Sequence, residues 1–397
     1  MEGIKNKVAI VGMGCTKFGE RWDKGVEDLI VEAAYEAFED AGVEAKDIQA
    51  AWIGTVFSGL SAITLSPLQL PYMPMTRVEN MCATGSEALR GAVFAVASGA
   101  VDVALAVGVE KLKDSGTTGV KGPAVVGDNG DGSSGIGPGY SAPASFAYLG
   151  TRYFHDYGIP PEEGKRMLAK IAVKNHHNGS LNPKAHFQNE LTIEQVVNAP
   201  IVAWPLGLYD CCGVSDGASV AVVTRADMAR SFRDDPIYVK TMQICAGARQ
   251  GAMRQDYDFV HMDENVIGSG RAYEEAGVKD PRREISIAEV HDCFSVHEMI
   301  VYEDLRFTKK RGTAREDIMA GTFELGGELP VNTDGGLKCF GHPLGASGLR
   351  MMYEVYKQLQ GKAGPRQVKD PRLGLTHNLG GNAGTGVCSC NIVGNEL

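Results

Sequence analysis

Four short stretches of the 397-residue chain combine nucleophiles, bases and glycines in ways that could do chemistry. Cys82 stands at the head of a stretch with helical spacing, Ser86–Ala97. A helix N-terminus offers free N–H groups and partial positive charge, which favour thiolate over thiol, so Cys82 is a candidate nucleophile. The plain alternative is a small buried residue capping a helix. His342 lies in GHPLGASG (341–348), where Pro343 fixes the local backbone and the glycines allow close main-chain approach. A histidine beside a cysteine can accept its proton. His291-Asp292-Cys293-Phe294 ends a strand, Ile285–Val290. Ligands gather at the ends of parallel strands and alternate residues share a face, so His291 and Cys293 can look into one site. A strand end that merely happens to be polar reads the same way. The last stretch, Asn378-Leu379-Gly380-Gly381-Asn382-Ala383-Gly384, follows a strand. Its glycines can present backbone N–H groups as an oxyanion hole, or form a plain hairpin.

The elements that must position these residues read as an α/β chain. Val8–Val11, Ala50–Ile53, Met75–Glu79 and Val101–Val107 read as strands, and Val26–Ala41 as a helix capped by Gly42. Such alternation implies a parallel sheet covered on both faces. Lys111–Pro205 breaks the rhythm with a Gly-rich stretch, Gly127–Gly139, and helical pieces at Ala144–Tyr157 and Pro161–Asn178; it reads as an inserted subdomain. Strands resume at Ala218–Val223, Ile237–Cys245 and Ile285–Val290, followed by a helix, Phe294–Arg306. A helix at Ala346–Leu359 and strands at Arg372–Leu375 and Gly386–Val393 close the chain. Residues 81–99 and 339–361 both run from a strand through a Gly-containing turn into a long helix. The chain therefore reads as two copies of one α/β unit related by a pseudo-twofold, which would bring Cys82 and His342 together.

Composition narrows the function class. Lys plus Arg number 39 against 49 Asp plus Glu, a net charge of −10, which argues against nucleic-acid binding. The 50 glycines suit tight turns and backbone packed close to a ligand. Nine scattered cysteines fit a reduced, cytoplasmic setting better than a disulfide framework. Gly91–Glu110 is the most apolar stretch, but Ser98 and Asp102 break it, so no membrane span is expected. A dinucleotide site is dismissed because Lys17 stands where the third glycine would follow Gly12 and Gly14. No metal site is expected, since Cys211-Cys212 and His176-His177 are adjacent pairs without ligand spacing.

Taken together, NMCATGSEA (80–88), HDCF (291–294), GHPLGASG (341–348) and NLGG (378–381) resemble, in order and over nearly the whole chain, the thiolase superfamily. GVEK (108–111), NHHNGSLNPKAHF (175–187) and DGASVAVV (216–223) add to the likeness, and HDCF points to the sterol-carrier-protein type with its bacterial and archaeal relatives. The resemblance implies a five-layered α-β-α-β-α fold. Its halves would be 1–110 plus 206–225 and 226–397, with a coenzyme A-binding loop domain at 111–205. It implies cleavage of a 3-oxoacyl-CoA, or the reverse Claisen condensation, through a thioester on Cys82. His291 and His342 would donate to the thioester oxygen, and the N–H groups of Cys82 and Gly380 would hold the tetrahedral oxyanion. Many thiolases carry a C-x-G motif where this chain has Asn378-Leu379-Gly380, so Cys293 is expected to be the second acid/base. Cys388 and Cys390 fall on the last strand and are expected to be buried hydrophobes.

Coenzyme A enters as a substrate, with no covalently bound cofactor. Its phosphates need local positive charge, and Lys174, His176, His177, Lys184 and His186 are the richest supply in the inserted region; a solvated helix face is the alternative. The resemblance implies a homodimeric core paired through Met75–Glu79, and leans towards relatives with a small zinc-ribbon/OB-fold partner. Benzoylsuccinyl-CoA and acetoacetyl-CoA are both candidate substrates. Ketoacyl-synthase-like, aldolase-like and non-catalytic scaffold readings stand as alternatives. Retention of Cys82 and Cys293 argues against them.

Overall fold

A computed structural model describes residues 3–58, 62–70, 72–114, 141–382 and 384–397. The Gly-rich stretch Gly127–Gly139 lies outside the described residues. Eleven strands are present among them: β1 Val8–Cys15, β2 Ala50–Gly54, β3 Met75–Val78, β4 Val103–Glu110, β5 Ile201–Ala203, β6 Leu206–Gly207, β7 Gly217–Arg225, β8 Ile237–Ala246, β9 Ile287–Glu289, β10 Leu373–Gly380 and β11 Val387–Gly394. Nine form one hydrogen-bonded order, β3-β2-β4-β7-β1-β8-β11-β10-β9, while β5 and β6 pair separately. The two halves of that order meet at β1 and β8, which pair only through Ala9 with Tyr238 and Ile10 with Ile237.

The sheet is mixed, not parallel as the alternation suggested. β2 pairs in parallel with β3 and β4, and β9 with β10. β7, however, lies antiparallel between β4 and β1. Only a short helical crossover forces a parallel return. Here a long inserted segment joins β4 to β7, so the chain can come back in either direction.

Five layers result. Helix α1, Val26–Ala41, lays Leu29, Ile30, Ala33, Ala37 and Phe38 on the N-terminal half of the sheet and ends at Gly42, whose left-handed φ of 68° suits glycine. In the middle layer α2, Thr84–Ala97, crosses the helix that runs over Leu344–Leu359. The far face is covered by helices over Asp263–Ala276 and Ser295–Asp304, against which the inserted helices α3, Ala142–Asp156, and α4, Pro161–Ser180, also pack. In chain order these three are α5 (Asp263–Ala276), α6 (Ser295–Asp304) and α7 (Leu344–Leu359).

The middle layer explains the glycines of GHPLGASG. A Cβ on Gly345 would lie 2.4 Å from the Val109 carbonyl oxygen, and one on Gly348 would lie 2.4 Å from Ser86 Oγ. The starts of α2 and α7 can therefore touch only because these positions lack side chains. Fully buried Arg350 on α7 pairs with Glu289 at 2.9 Å and Asp334 at 2.5 Å, which ties the helix to β9.

Candidate active site

The nucleophile turn is shaped by its own backbone. Met81 takes a left-handed φ of 49°, Ala83 N–H donates to the Asn80 carbonyl at 3.0 Å, and Asn80 N–H donates to Thr84 Oγ1 at 2.8 Å. This turn sets Cys82 just ahead of α2, with part of its surface open. Gly380 lets β10 press against the turn: a Cβ there would sit 2.1 Å from the Asn80 carbonyl oxygen. The backbone amides of Cys82 and Gly381 pull the Cys82 thiol down, against the effect of burial.

Cys82 and His342 meet, as the pseudo-twofold implied. His342 Nε2 lies 3.3 Å from Cys82 Sγ. Its Nδ1 lies 2.8 Å from Ser347 Oγ, and Ser347 Oγ donates its one proton to the Pro343 carbonyl at 2.9 Å. Ser347 can then only accept from the ring, so Nδ1 carries the hydrogen and Nε2 presents its lone pair to the thiol. Burial pushes the Cys82 thiol up to about 12 and His342 down to about 3. The pair therefore rests neutral, with the proton on sulfur. This differs from the thiolate expected of a helix N-terminus, because loss of water outweighs the amide contribution.

His291 and Cys293 line the same place from the end of β9. The His291 ring stands edge-on to His342, with centroids 5.3 Å apart at 81°. Donor atoms of Cys82, His291 and His342 lie within 4.8 Å of one another, as do those of His291, Cys293 and His297. Asp292, between them, accepts from Leu337 N–H at 2.6 Å, Lys338 N–H at 3.2 Å and Asn175 Nδ2 at 2.8 Å. HDCF is thus clamped to the helical turn Gly336–Cys339 and to α4. Burial pushes the Cys293 thiol well up and His291 well down, so both rest neutral.

The other likeness motifs organise the rim. The Glu110 carboxylate accepts from Val56, Phe57 and Ser58 N–H at 2.9 Å each, and from Gly345 N–H at 3.1 Å. Asp216 accepts from Lys111 Nζ at 2.8 Å and Leu112 N–H at 2.7 Å. Asn378 is buried and its Oδ1 accepts from Ser86 Oγ at 2.9 Å, which joins β10 to α2.

The residues expected to bind coenzyme A do not form one cationic face. Lys174 is a correction: it is buried, and its three donors are spent on Glu298 Oε1 at 2.5 Å, Tyr302 Oη at 3.1 Å and the Val331 carbonyl at 2.8 Å. His176 is buried too, with Nδ1 3.1 Å from the Asn189 carbonyl, and burial lowers it to about 4. A neutral ring there offers no charge to a phosphate. Lys184 is held by the Cys15 carbonyl and by Glu36 at 2.6 Å. His177 pairs on the surface with Glu190 at 2.9 Å, and His186 contacts Ser215 Oγ at 2.9 Å while stacking on Phe187.

Sequence reasoning left three neighbours of the site without a role in it. Ser347 stood inside a quoted motif without a role. Cys212 N–H donates to the Cys293 carbonyl at 2.9 Å, so the unexplained Cys211-Cys212 pair runs beside HDCF. His297, four residues after Cys293, places Nδ1 4.0 Å from its sulfur. Its signal was one-turn spacing from the HDCF cysteine at the head of a helix. Cys388 and Cys390 are buried on β11, as expected of hydrophobic fillers.

Two pseudo-equivalent halves that bring a cysteine and a histidine together at the heads of paired central helices define a cysteine-dependent acyltransferase site. The chain belongs to the thiolase family: residues 8–227 match "Thiolase, N-terminal domain" and 246–390 match "Thiolase C-terminal domain-like". It is 40% identical over 95% of its length, and 97% of the relative's, to an acetyl-CoA acetyltransferase of Methanothermobacter thermautotrophicus. Bovine sterol carrier protein 2 is 32% identical over 95% of this chain and 70% of its own length. A benzoylsuccinyl-CoA thiolase subunit of Thauera aromatica is 31% identical over 95% and 96%. Among solved structures an Ltp2–ChsH2(DUF35) aldolase superposes with a TM-score of 0.85 at 25% identity, covering 99% of this chain and 98% of that one. The protein is an acyltransferase of the sterol-carrier-protein thiolase type. No helix among the described residues is long and apolar enough to cross a membrane.

Proposed function

We propose that the protein is an acetyl-CoA acetyltransferase that forms and cleaves acetoacetyl-CoA through a thioester on Cys82. The observation that carries this reading is the 3.3 Å approach of His342 Nε2, held as the acceptor tautomer by Ser347, to the Cys82 thiol. In thiolysis Cys82 Sγ attacks the keto carbonyl as His342 takes its proton. The N–H groups of Cys82 and Gly380 stabilise the alkoxide. Carbon–carbon cleavage leaves an acetyl group on Cys82 and an acetyl-CoA enolate, whose oxygen His291 and protonated His342 stabilise. Cys293 gives its proton to the enolate carbon, then takes one from the incoming coenzyme A thiol; the coenzyme A sulfur removes the acetyl group, and Cys82 leaves as a thiolate that takes its proton back from His342.

The substrate assignment is supported by the archaeal relatives that carry that name and match at higher identity than the benzoylsuccinyl-CoA thiolase subunit. A thiolysis panel of acetoacetyl-CoA, benzoylsuccinyl-CoA and longer or branched 3-oxoacyl-CoA esters tests it. Acetoacetyl-CoA is expected to give the highest kcat/KM. A preference for benzoylsuccinyl-CoA would replace the substrate, and cleavage with no acyl-enzyme would replace the reaction by an aldolase.

A further inference from the structure

A thiol that alternates between acid and base must survive as a thiolate between its two proton transfers, and Cys293 is placed where that is costly. It is buried. The Asp292 carboxylate beside it disfavours negative charge there, and the Lys338 ammonium favours it. Among the described residues, the side-chain atom within hydrogen-bond reach of Cys293 Sγ is His297 Nδ1, at 4.0 Å.

His297 is held by rings. It lies edge-on to Phe146, with centroids 5.2 Å apart at 62°, and edge-on to His291 at 5.1 Å and 70°. His377 lies 6.1 Å away on the other side. Nε2 has no hydrogen-bond partner among the described residues, the His291 backbone lies beside the ring, and Nδ1 is directed at the cysteine. Burial, with His377 and Lys338 nearby, pushes the imidazole well down and keeps it neutral. A neutral imidazole with hydrogen on Nδ1 is a donor that adds no buried charge of its own.

We propose that His297 is a positioning residue that steadies the Cys293 thiolate by donating Nδ1–H to its sulfur between the two proton transfers. The inference rests on Cys293 being the acid/base of the proposed reaction. In balance, Cys293 S–H gives its proton to the enolate carbon and forms a C–H bond. The thiolate accepts the His297 hydrogen bond without taking that proton, and is then reprotonated by the coenzyme A thiol. A hydrogen bond to a charged acceptor is worth about 10- to 100-fold in the rate of the step that forms it.

The test compares His297→Phe, which keeps the ring packing without a donor, with His297→Asn, whose amide N–H falls near the Nδ1 position. Two quantities are read for each: acetylation of Cys82 by acetyl-CoA, and solvent deuterium exchange at the acetyl-CoA α-carbon as a function of pH. His297→Phe is expected to acetylate normally, to exchange about 10- to 100-fold more slowly, and to shift the alkaline rise of exchange to higher pH. His297→Asn is expected to recover most of the exchange. Native exchange in His297→Phe, a parallel fall in acetylation, or a His297→Asn variant as slow as Phe would each overturn the role. Cys293→Ala separates the two levels. If it exchanged at the native rate, the acid/base reading would fail; if it lost exchange while His297→Phe kept it, only the role of His297 would fail.

Discussion

The neutral Cys82–His342 pair has a measurable signature. With the thiol near 12 and the imidazole near 3, the thiolate fraction of the free enzyme keeps growing as pH rises. Inactivation by iodoacetamide should therefore climb through pH 9 to about 10 without levelling near neutrality. A plateau at neutral pH would reveal a preformed ion pair. Peptide mapping should find Cys82 labelled first, because it combines partial exposure with a base at its sulfur. Ser347 makes the second residue-scale prediction. Ser347→Ala removes the acceptor that fixes the His342 tautomer and should lower kcat about 10- to 100-fold with little change in KM. An unchanged kcat would mean that packing alone orients the ring. The site was legible in the sequence where chemistry and turn glycines coincide: Cys82, His291, Cys293 and His342 were all named from their motifs. Ser347 escaped because its role depends on where one hydroxyl proton goes.

Elements were legible in kind and less so in use. The helix Val26–Ala41 was read with the bounds that α1 has, because its apolar stripe and Gly42 agree. Helix α5 went unread for the opposite reason. Its Val266 and Ile267 are exposed while Glu264, Asn265, Gly268 and Ser269 are buried, so its pattern is inverted. Charge composition misled at α4. Lys174 looks like ligand-binding charge, yet it meets a carboxylate 124 residues away. Lys174→Met leaves buried Glu298 with Lys338, at 3.5 Å, as its remaining cation and should cost about 3 kcal/mol in urea unfolding, with the KM for coenzyme A unchanged. A raised KM at unchanged stability would return Lys174 to the substrate site.

At the scale of the whole molecule, the internal repeat was legible from one pair of strand–turn–helix stretches. The direction of β7 was not, because the route of the inserted segment decides it. Among the described residues β3 ends the nine-strand order and its Thr76 and Arg77 are exposed, which leaves that edge open to a second copy. A homodimer paired there is the expected assembly. Light scattering of the purified chain should give twice the 42.4 kDa of one chain. A monomer of full activity would contradict the dimer.

The most direct test of the chemistry is the mass of the protein after brief incubation with acetyl-CoA and removal of free coenzyme A. One acetyl group should be found on the peptide containing Cys82, should be discharged by added coenzyme A, and should be missing from Cys82→Ser. Turnover of acetoacetyl-CoA with no acetyl group on Cys82, or with the acetyl group on another cysteine, would contradict it.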